Sequence, residues 1–264
     1  TRTTSSAASD VYKRQGNDGT YQGGSVGDGA TTVRYDRTLP TLDEVTIASS
    51  NENTQWAKVG DEVTITSIAS EPILSRYTTI QGQPGTITDI NNAESHSGYQ
   101  FLETDTEGLV VFNLTFSDSA GNDGVEVAST TNSSWVVFDK TPPSDFSTGN
   151  TISIGGNQLS NVWNSTNTGA DIFVPIVDND TTIINGEIQI WGKVGTNPYE
   201  KVGDPFTILE SDAGTNKSLN IIETQVESIT GFLEGDSIYF KTVKIDKAGN
   251  EKEAVSYTHL TLPT

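Results

Sequence analysis

The chain has 264 residues, enough for one or two domains with hydrophobic cores, and a formal net charge of −20 at pH 7. This charge argues against binding to nucleic acid or anionic membranes, since both need basic patches, and no apolar run is long enough for a membrane-spanning helix. Cysteine is absent, which excludes disulfides, zinc–thiolate sites and thiol nucleophiles. The two histidines, His96 and His259, argue against histidine-based metal catalysis.

One phrase occurs three times along the chain and is complete once. The complete copy has FSDSAGNDG at 116–124 and FDKTPP at 138–143. An earlier copy has GNDG at 16–19 and YDRTLP at 35–40, and a later copy has IDKAGNE at 245–251. Repetition at domain-sized spacing is typical of a tandem array, so we expect the chain to be a segment of a longer protein.

The two ends of the chain match nothing in these repeats. Residues 1–15, which include SSAASDVYKRQ, and residues 255–264, VSYTHLTLPT, resemble translated sequencing-adapter sequence. We expect both to be non-native tails that lie outside the fold. The alternative is that they are ordinary disordered tails.

In chain order, residues 16–39 are predicted to hold the C-terminal strands of a truncated preceding repeat and a linker. Residues 40–142 form a first complete module, rich in short strand patterns separated by turns. Its clearest strand has apolar residues at every second position: Val110, Phe112, Leu114 and Phe116. Seven or so short strands in about 100 residues predict a two-sheet Greek-key sandwich.

Residues 143–254 form a second module. Apolar residues alternate on two of its predicted strands: Ile172, Val174 and Ile176, then Ile188, Ile190 and Val194. A capping-box pattern at Thr224–Glu227 predicts a helix of about two turns, near 223–230, that crosses between the sheets. The buried face of SIYFKTVKID stays open, because apolar residues fall at both odd and even positions.

The segments NTQWAKVGDEVTITSIASEPI, DTEGLVVFNLTFSDSAGNDG and VVFDKTPP resemble the bacterial immunoglobulin-like repeats of large secreted and cell-surface adhesin proteins. The second module, with VWNSTNTGADIFVPIVDND and ITGFLEGDSIYFKTVKIDKAGN, looks like a companion repeat. The resemblance covers nearly all of residues 40–254. It implies an all-β chain of tandem immunoglobulin-like β-sandwiches, extracellular or on the bacterial cell surface, with calcium between modules in some relatives. Lys244 and Lys247 depart from the pattern, which has a more neutral strand end.

The functional hypothesis is a non-catalytic spacer or stalk module. Its partners would be neighbouring repeats of the same chain, and other domains would bind a surface glycan or protein target; neither nucleic acid nor membrane insertion is expected. Catalysis by paired carboxylates or by a Ser-His-Asp set is not expected, because the acids fall in turns and on polar faces and His96 falls in a predicted loop.

The alternative is a carbohydrate-binding or accessory module of an extracellular hydrolase. Its candidate stacking residues are Trp56, Trp135, Trp163 and Trp191. Trp56 and Trp163 both precede the second strand of their modules, which favours a shared packing role instead.

Acidic residues occupy three corresponding positions in both modules. In this topology the entering linker, the turn after the second strand and the turn between the last two strands meet at one end. The residues are Asp36, Glu71 and Asp118 in the first module, and Asp139, Asp178 (or Asp180) and Asp246 in the second. Oxygen ligands from several loops suit Ca²⁺, so the sequence predicts calcium at each inter-domain joint, with Asn122 and Asn250 as further carbonyl ligands.

The competing interpretation of these acids is purely structural. An aspartate at the start of a turn often accepts a hydrogen bond from the backbone two residues on, and Asp-x-Ala-Gly-Asn has the form of such a turn closed by a left-handed glycine. The aspartate of Asp-Lys-Thr-Pro-Pro would then shape an extended linker.

Overall fold

The computed structural model describes residues 19–22, 32–177 and 181–262. Regular structure in these ranges is almost entirely β-strand in mostly antiparallel sheets, which confirms the predicted all-β class. The chain divides into two compact units, Thr1–Phe138 and Asp139–Thr264, a few residues before the predicted boundary at 142. Among the described residues, no helix has the length and apolar character needed to cross a membrane.

The first unit begins with a small hairpin. Strands β1 (Gly19–Gln22) and β2 (Thr32–Tyr35) pair antiparallel and form a sheet of their own. This is the segment predicted to be the end of a preceding repeat, an origin that stays a prediction. The predicted tail at 1–15 and the GNDG sequence at 16–19, except its last glycine, lie outside the described residues.

The remaining strands of the first unit are, in chain order, β3 (Leu42–Ser49), β4 (Trp56–Ala57), β5 (Glu62–Ala69), β6 (Ile73–Ile80), β7 (Gln83–Pro84), β8 (Thr86–Asp89), β9 (Glu94–Gln100), β10 (Gly108–Leu109), β11 (Phe112–Asp118) and β12 (Val137–Phe138). One main sheet has the order β3-β5-β9-β8 and the other β11-β6-β7, and the short strands form a third sheet with the order β10-β12-β4. Bridges from Leu114 to Val127 and from Ser117 to Asp123 add a further segment beside β11. With β3, β5, β6, β7, β8, β9 and β11 lettered A, B, C, C′, D, E and F and the bridged segment lettered G, the main sheets are A-B-E-D and G-F-C-C′. This is the strand order of an immunoglobulin-like sandwich, the fold that the sequence predicted.

The core of the first unit lies between these sheets. Val110, Phe112, Leu114 and Phe116 are all buried, as their alternation predicted. Phe101 and Phe138 stack at the centre with ring centroids 4.4 Å apart.

The expectation that His96 lies in a loop is wrong, because it lies in the middle of β9. Its neighbours Ser95 and Ser97 are buried and share hydroxyl hydrogen bonds with Ser67 at 3.0 Å and Thr78 at 2.9 Å. Because these hydroxyls are hydrogen-bonded, serine side chains can occupy buried positions of β9. The strand therefore lacks the alternating apolar residues by which most strands are recognised in a sequence.

The second unit contains β13 (Thr151–Ile154), β14 (Gly169–Ile176), β15 (Glu187–Val194), β16 (Glu200–Thr207), β17 (Thr215–Ile222), α1 (Glu223–Glu227), β18 (Ser237–Ile245), β19 (Glu251–Glu253) and β20 (Thr258–Thr261), with a 3₁₀ turn at Glu210–Asp212. One sheet is β13-β14-β17; the other is β16-β15-β18, with β19 and β20 both paired to β18. Strand β16 pairs with β15 in the second sheet and does not join the first sheet, which therefore has three strands.

The structure settles the open face of β18. Ile238, Phe240, Thr242 and Lys244 are all fully buried, so the strand presents its even-numbered residues to the core. The predicted helix is present between β17 and β18 but spans five residues, less than the two turns expected. It starts after Ile222, whose N–H donates to Gln225 Oε1 at 3.0 Å, so the expected cap at Thr224 is wrong.

Part of the predicted C-terminal tail is packed on the second unit. Thr258–Thr261 forms β20 along the first half of β18, and Leu260 and Leu262 are buried. This differs from our expectation that residues 255–264 lie outside the fold. The free edge of a sheet can pair with any extended segment, and a segment with apolar residues at alternate positions can also bury them. The predicted non-native origin of this segment stays a prediction.

Candidate functional site

The loop after β11 is a closed turn organised by Asp118. Its Oδ1 accepts hydrogen bonds from the backbone N–H groups of Ala120 and Asn122, each at 2.8 Å, and its Oδ2 accepts one from Asn122 Nδ2 at 2.8 Å. Gly121 has φ of 85°, a left-handed conformation that favours glycine. This is the turn that the structural interpretation of Asp-x-Ala-Gly-Asn predicted.

The same loop holds the segment that enters the first unit. Asp36 shapes that segment, because its Oδ1 accepts the N–H of Thr38 at 2.9 Å. Asn122 Nδ2 also approaches the backbone carbonyl oxygen of Asp36, at 3.4 Å. The Asn122 amide therefore contacts loop and linker through its nitrogen, and the expected role of its carbonyl oxygen as a cation ligand stays a prediction.

The three acidic residues predicted for the first module lie together. Carboxylate oxygens of Asp36, Glu71 and Asp118 are all within 4.8 Å of one another. Asp118 is fully buried, and the other two are half-buried. Calcium binds oxygens at about 2.3–2.6 Å, so oxygens this close can share one ion.

The environment of Asp118 favours its charged form. Burial raises the pKa of this carboxyl, but the hydrogen bonds from the Asn122 side chain and from the backbone of Asn122, Ala120 and Gly121 together outweigh burial and lower the pKa. The carboxylate thus enters the cluster as an anion at neutral pH. Because it already accepts three hydrogen bonds, Asp118 can offer a cation only its remaining lone pairs.

The second unit repeats this arrangement. Asp246 Oδ1 accepts the N–H groups of Ala248 and Asn250, each at 2.9 Å, and Oδ2 accepts Asn250 Nδ2 at 3.0 Å. Asn250 Nδ2 also donates to the carbonyl oxygen of Asp139 at 3.0 Å, and Asp139 Oδ1 accepts the N–H of Thr141 at 3.0 Å. We call this arrangement, an Asp-x-Ala-Gly-Asn loop that holds an Asp-x-Thr segment through the asparagine amide, the clasp.

The cation ligands predicted for the second module can be followed only in part. Asp139 and Asp246 are both buried and meet at the clasp. Asp178 and its alternative Asp180 lie outside the described residues, so the third position stays a prediction. Burial of Asp246 raises its pKa, and here the hydrogen bonds from Asn250, Ala248 and Gly249 do not overcome burial.

A buried lysine distinguishes the second unit. Lys244 stands two residues before the loop aspartate, where the first unit has Phe116. Its side chain is fully buried; Nζ donates to the carbonyl oxygen of Pro175 at 2.7 Å and lies 4.2 Å from the centre of the Phe146 ring. The lysine noted in the sequence therefore places an amino group in the core.

The tryptophans do not form a row. Trp56 lies on β4, which pairs in parallel with β12. The backbone N–H of Trp163 donates to the backbone carbonyl oxygen of Thr261, on the last strand of its unit, at 2.9 Å. Both segments thus pair through the backbone with the last strand of their unit, and the shared packing role of the two side chains stays a prediction. Trp163 is only 2% exposed, whereas Trp135 is 39% exposed and Trp191 is half-buried on a sheet face.

Comparisons with known proteins give structural similarity alone. No protein-family model and no curated protein matches the chain. The fibronectin(III)-like modules of CbhA from Clostridium thermocellum are 11% identical, with 84% of this chain and 94% of that chain covered and a TM-score of 0.37. Latent PorU from Porphyromonas gingivalis is 11% identical over 85% of this chain and 20% of its own, with a TM-score of 0.26. The collagen adhesin CNA from S. aureus is 9% identical over 82% and 93%, with a TM-score of 0.18. The assignment of the fold rests on strand order and not on these scores.

Proposed function

We propose that the chain is a non-catalytic structural segment of an extracellular or cell-surface bacterial repeat protein, in which each module acts as a spacer. The observation that supports this is the clasp, which occurs with the same hydrogen bonds in both units. A clasp fixes the direction in which the chain enters a module. Repeated along an array, it would set the reach and stiffness of a stalk that presents a binding domain elsewhere in the protein.

We further propose that Ca²⁺ binds the carboxylates of Asp36, Glu71 and Asp118 and strengthens the clasp of the first unit. Three carboxylates within 4.8 Å repel one another, and a cation between them would offset this repulsion. Oxygen ligands from a linker and two turns provide the irregular geometry that Ca²⁺ accepts and Mg²⁺ does not. The cation would join the entering segment to two loops of the sandwich, in addition to the Asn122 amide.

The test is a thermal melt of the full chain in 1–10 mM calcium and in EDTA, with Mg²⁺ as a competing ion. Native-state binding with a Kd near 10⁻⁴ M would stabilise the first unit by about 1–3 kcal/mol. Glu71→Gln keeps the side-chain volume and should abolish the calcium effect. Glu52→Gln, at an exposed position of the same unit, should leave it intact.

Identical melts with and without calcium would sink the cation proposal and leave the clasp as a hydrogen-bonded device. The spacer proposal has its own readout, which is hydrogen exchange of the backbone at 36–41. In Asn122→Ala this segment should exchange faster while the strands of the unit stay protected. Unchanged exchange would show that the asparagine amide does not hold the entering segment.

A further inference from the structure

One face of the second unit departs from the acidic character of the chain. Six residues on or beside β15, β16 and β18 form what we call the lysine–aromatic face: Trp191, Lys193, Tyr199, Lys201, Tyr239 and Lys241. In the strand register Trp191 stands between Lys201 and Lys241, and Lys193 stands opposite Tyr239. Rings and ammonium groups therefore alternate both along and across the strands.

The contacts within this face are cation–π contacts. Lys201 Nζ and Lys241 Nζ lie 5.7 Å and 5.9 Å from the ring centre of Trp191. Lys241 Nζ and Lys193 Nζ lie 4.7 Å and 4.9 Å from the ring centre of Tyr199. Lys193 Nζ is also 5.5 Å from the ring of Tyr239. Such contacts hold flexible lysine side chains against the sheet, so three ammonium groups are concentrated on one small area.

Core packing does not account for this concentration of charge, and ion pairing accounts for one of the three lysines. The alternate residues of β15, Ile190, Gly192 and Val194, are the ones that face the core. Among the described contacts of the face, one carboxylate appears: Glu253 Oε2, which is 2.8 Å from Lys241 Nζ. Three ammonium groups against one carboxylate make a local excess of positive charge at these six residues, although Glu187 and Glu251 lie further along the same side of the sheet.

We propose that the lysine–aromatic face binds an anionic polysaccharide built from uronic acid residues. Its carboxylates would meet the ammonium groups, and the C–H faces of its pyranose rings would stack on the aromatic rings. The carboxylates of an acidic peptide would also pair with the ammonium groups, but its acidic side chains offer no ring-shaped C–H surface to stack on the aromatic rings. Lysine offers a point charge with rotatable donors, which suits carboxylates presented at varied angles along a flexible polymer.

This proposal stands apart from the cation cluster, which lies in the first unit. The negative charge of the rest of the chain repels a polyanion at long range, but at physiological ionic strength charges beyond about 8 Å are screened. Binding by a single module should therefore be weak and should depend on salt. Tyr257 and His259 lie beside Tyr239 with centroids at 5.6 Å and 5.8 Å, but they belong to the predicted non-native tail and are left out of the face.

The experiment is affinity electrophoresis of the full chain in gels that contain polygalacturonate, dextran or oligothymidylate. Retardation by polygalacturonate that falls with salt, with none by dextran, is expected. Lys201→Gln and Lys241→Gln should each weaken binding by about two- to fivefold, and both together with Lys193→Gln should abolish it. Lys252→Gln removes the same charge from the unit outside the face, where Lys252 pairs with Asp145, and should change little.

The ring contribution is tested with Trp191→Leu, whose thermal melt is recorded alongside to confirm that the unit folds. Weaker binding by a folded Trp191→Leu chain would support stacking. The proposal is overturned by any of three results: no retardation by polygalacturonate, equal retardation of the triple lysine variant, or stronger retardation by oligothymidylate. The last would identify the face as a nucleic-acid surface.

Discussion

Asn250→Ala is expected to destabilise the second unit by about 2–4 kcal/mol. The Asn250 amide nitrogen donates to the carbonyl oxygen of Asp139 and to Oδ2 of Asp246, both at 3.0 Å. A neutral hydrogen bond contributes about 0.5–1.5 kcal/mol and one to a charged group about 1.5–3 kcal/mol. Both acceptor residues are buried, so water cannot readily replace the lost donor.

Differential scanning calorimetry of the full chain measures this effect. For a unit of this size the loss corresponds to a fall in Tm of about 6–15 °C. Asn220→Ala is the matched control, because Asn220 Nδ2 also donates to an aspartate, Asp171, at 2.9 Å but on an exposed strand surface. Substitution there should cost about 0.5 kcal/mol or less.

The loss of stability caused by Asn250→Ala should also depend on pH. The pKa of Asp246 is raised by burial, so this carboxyl contributes stability below its unfolded pKa of about 3.9 that is lost as pH rises through its folded pKa. Removing the Asn250 donor disfavours the charged form and raises the folded pKa further. The difference between Asn250→Ala and the parent chain should therefore be largest near pH 7 and should shrink toward pH 4. Equal, pH-independent losses for Asn250→Ala and Asn220→Ala would refute the assignment of the clasp.

Three further substitutions test other parts of the second unit. Burial raises the pKa of Asp212, but the hydrogen bonds from Lys217 Nζ (2.6 Å) and the Leu209 N–H lower it more. This carboxylate therefore contributes stability at neutral pH that is lost as pH falls through its folded pKa. The Tm of Asp212→Asn should fall less steeply in acid than that of the parent chain, and parallel curves of Tm against pH would contradict this. In urea unfolding, Lys244→Ala should cost about 2–4 kcal/mol and Lys244→Met clearly less, because Met keeps the buried volume. Equal losses would assign the cost to the amino group and its hydrogen bond rather than to packing. Gly186→Ala would place Cβ against the carbonyl oxygen of Ile245 and should cost about 1–3 kcal/mol, so an unchanged Tm would be inconsistent with this close approach.

Local pattern predicted the clearest strands because each of these has one buried face. The alternation at Phe112 and Leu114 and that at Ile172 and Val174 both corresponded to buried positions. The repeated Asp-x-Ala-Gly-Asn phrase predicted a turn with a left-handed glycine, and Gly121 adopts that conformation. Such features depend on neighbours in the sequence, which is why they can be read without the fold.

The acidic positions were predicted through topology rather than local pattern. An immunoglobulin-like strand order brings the linker and two turns to one end, and on that ground Asp36, Glu71 and Asp118 were expected together, as the structure places them. The same reasoning did not foresee that the amide of Asn122 would be a donor to the linker carbonyl. The orientation of an amide depends on which partners surround it, and those partners are remote in sequence.

The sequence by itself determined the all-β class, the tandem organisation and the alternate burial of the strands, because these follow from periodicity and from repeated turns. Tertiary structure decided what lies opposite each residue. It paired the serines beside His96 with hydroxyls from two other strands, placed Lys244 in the core where the pattern was ambiguous, and aligned Trp191 with lysines from both neighbouring strands. These arrangements arise from registers between segments distant in the chain, and a one-residue shift in any of them would place a different side chain at each position.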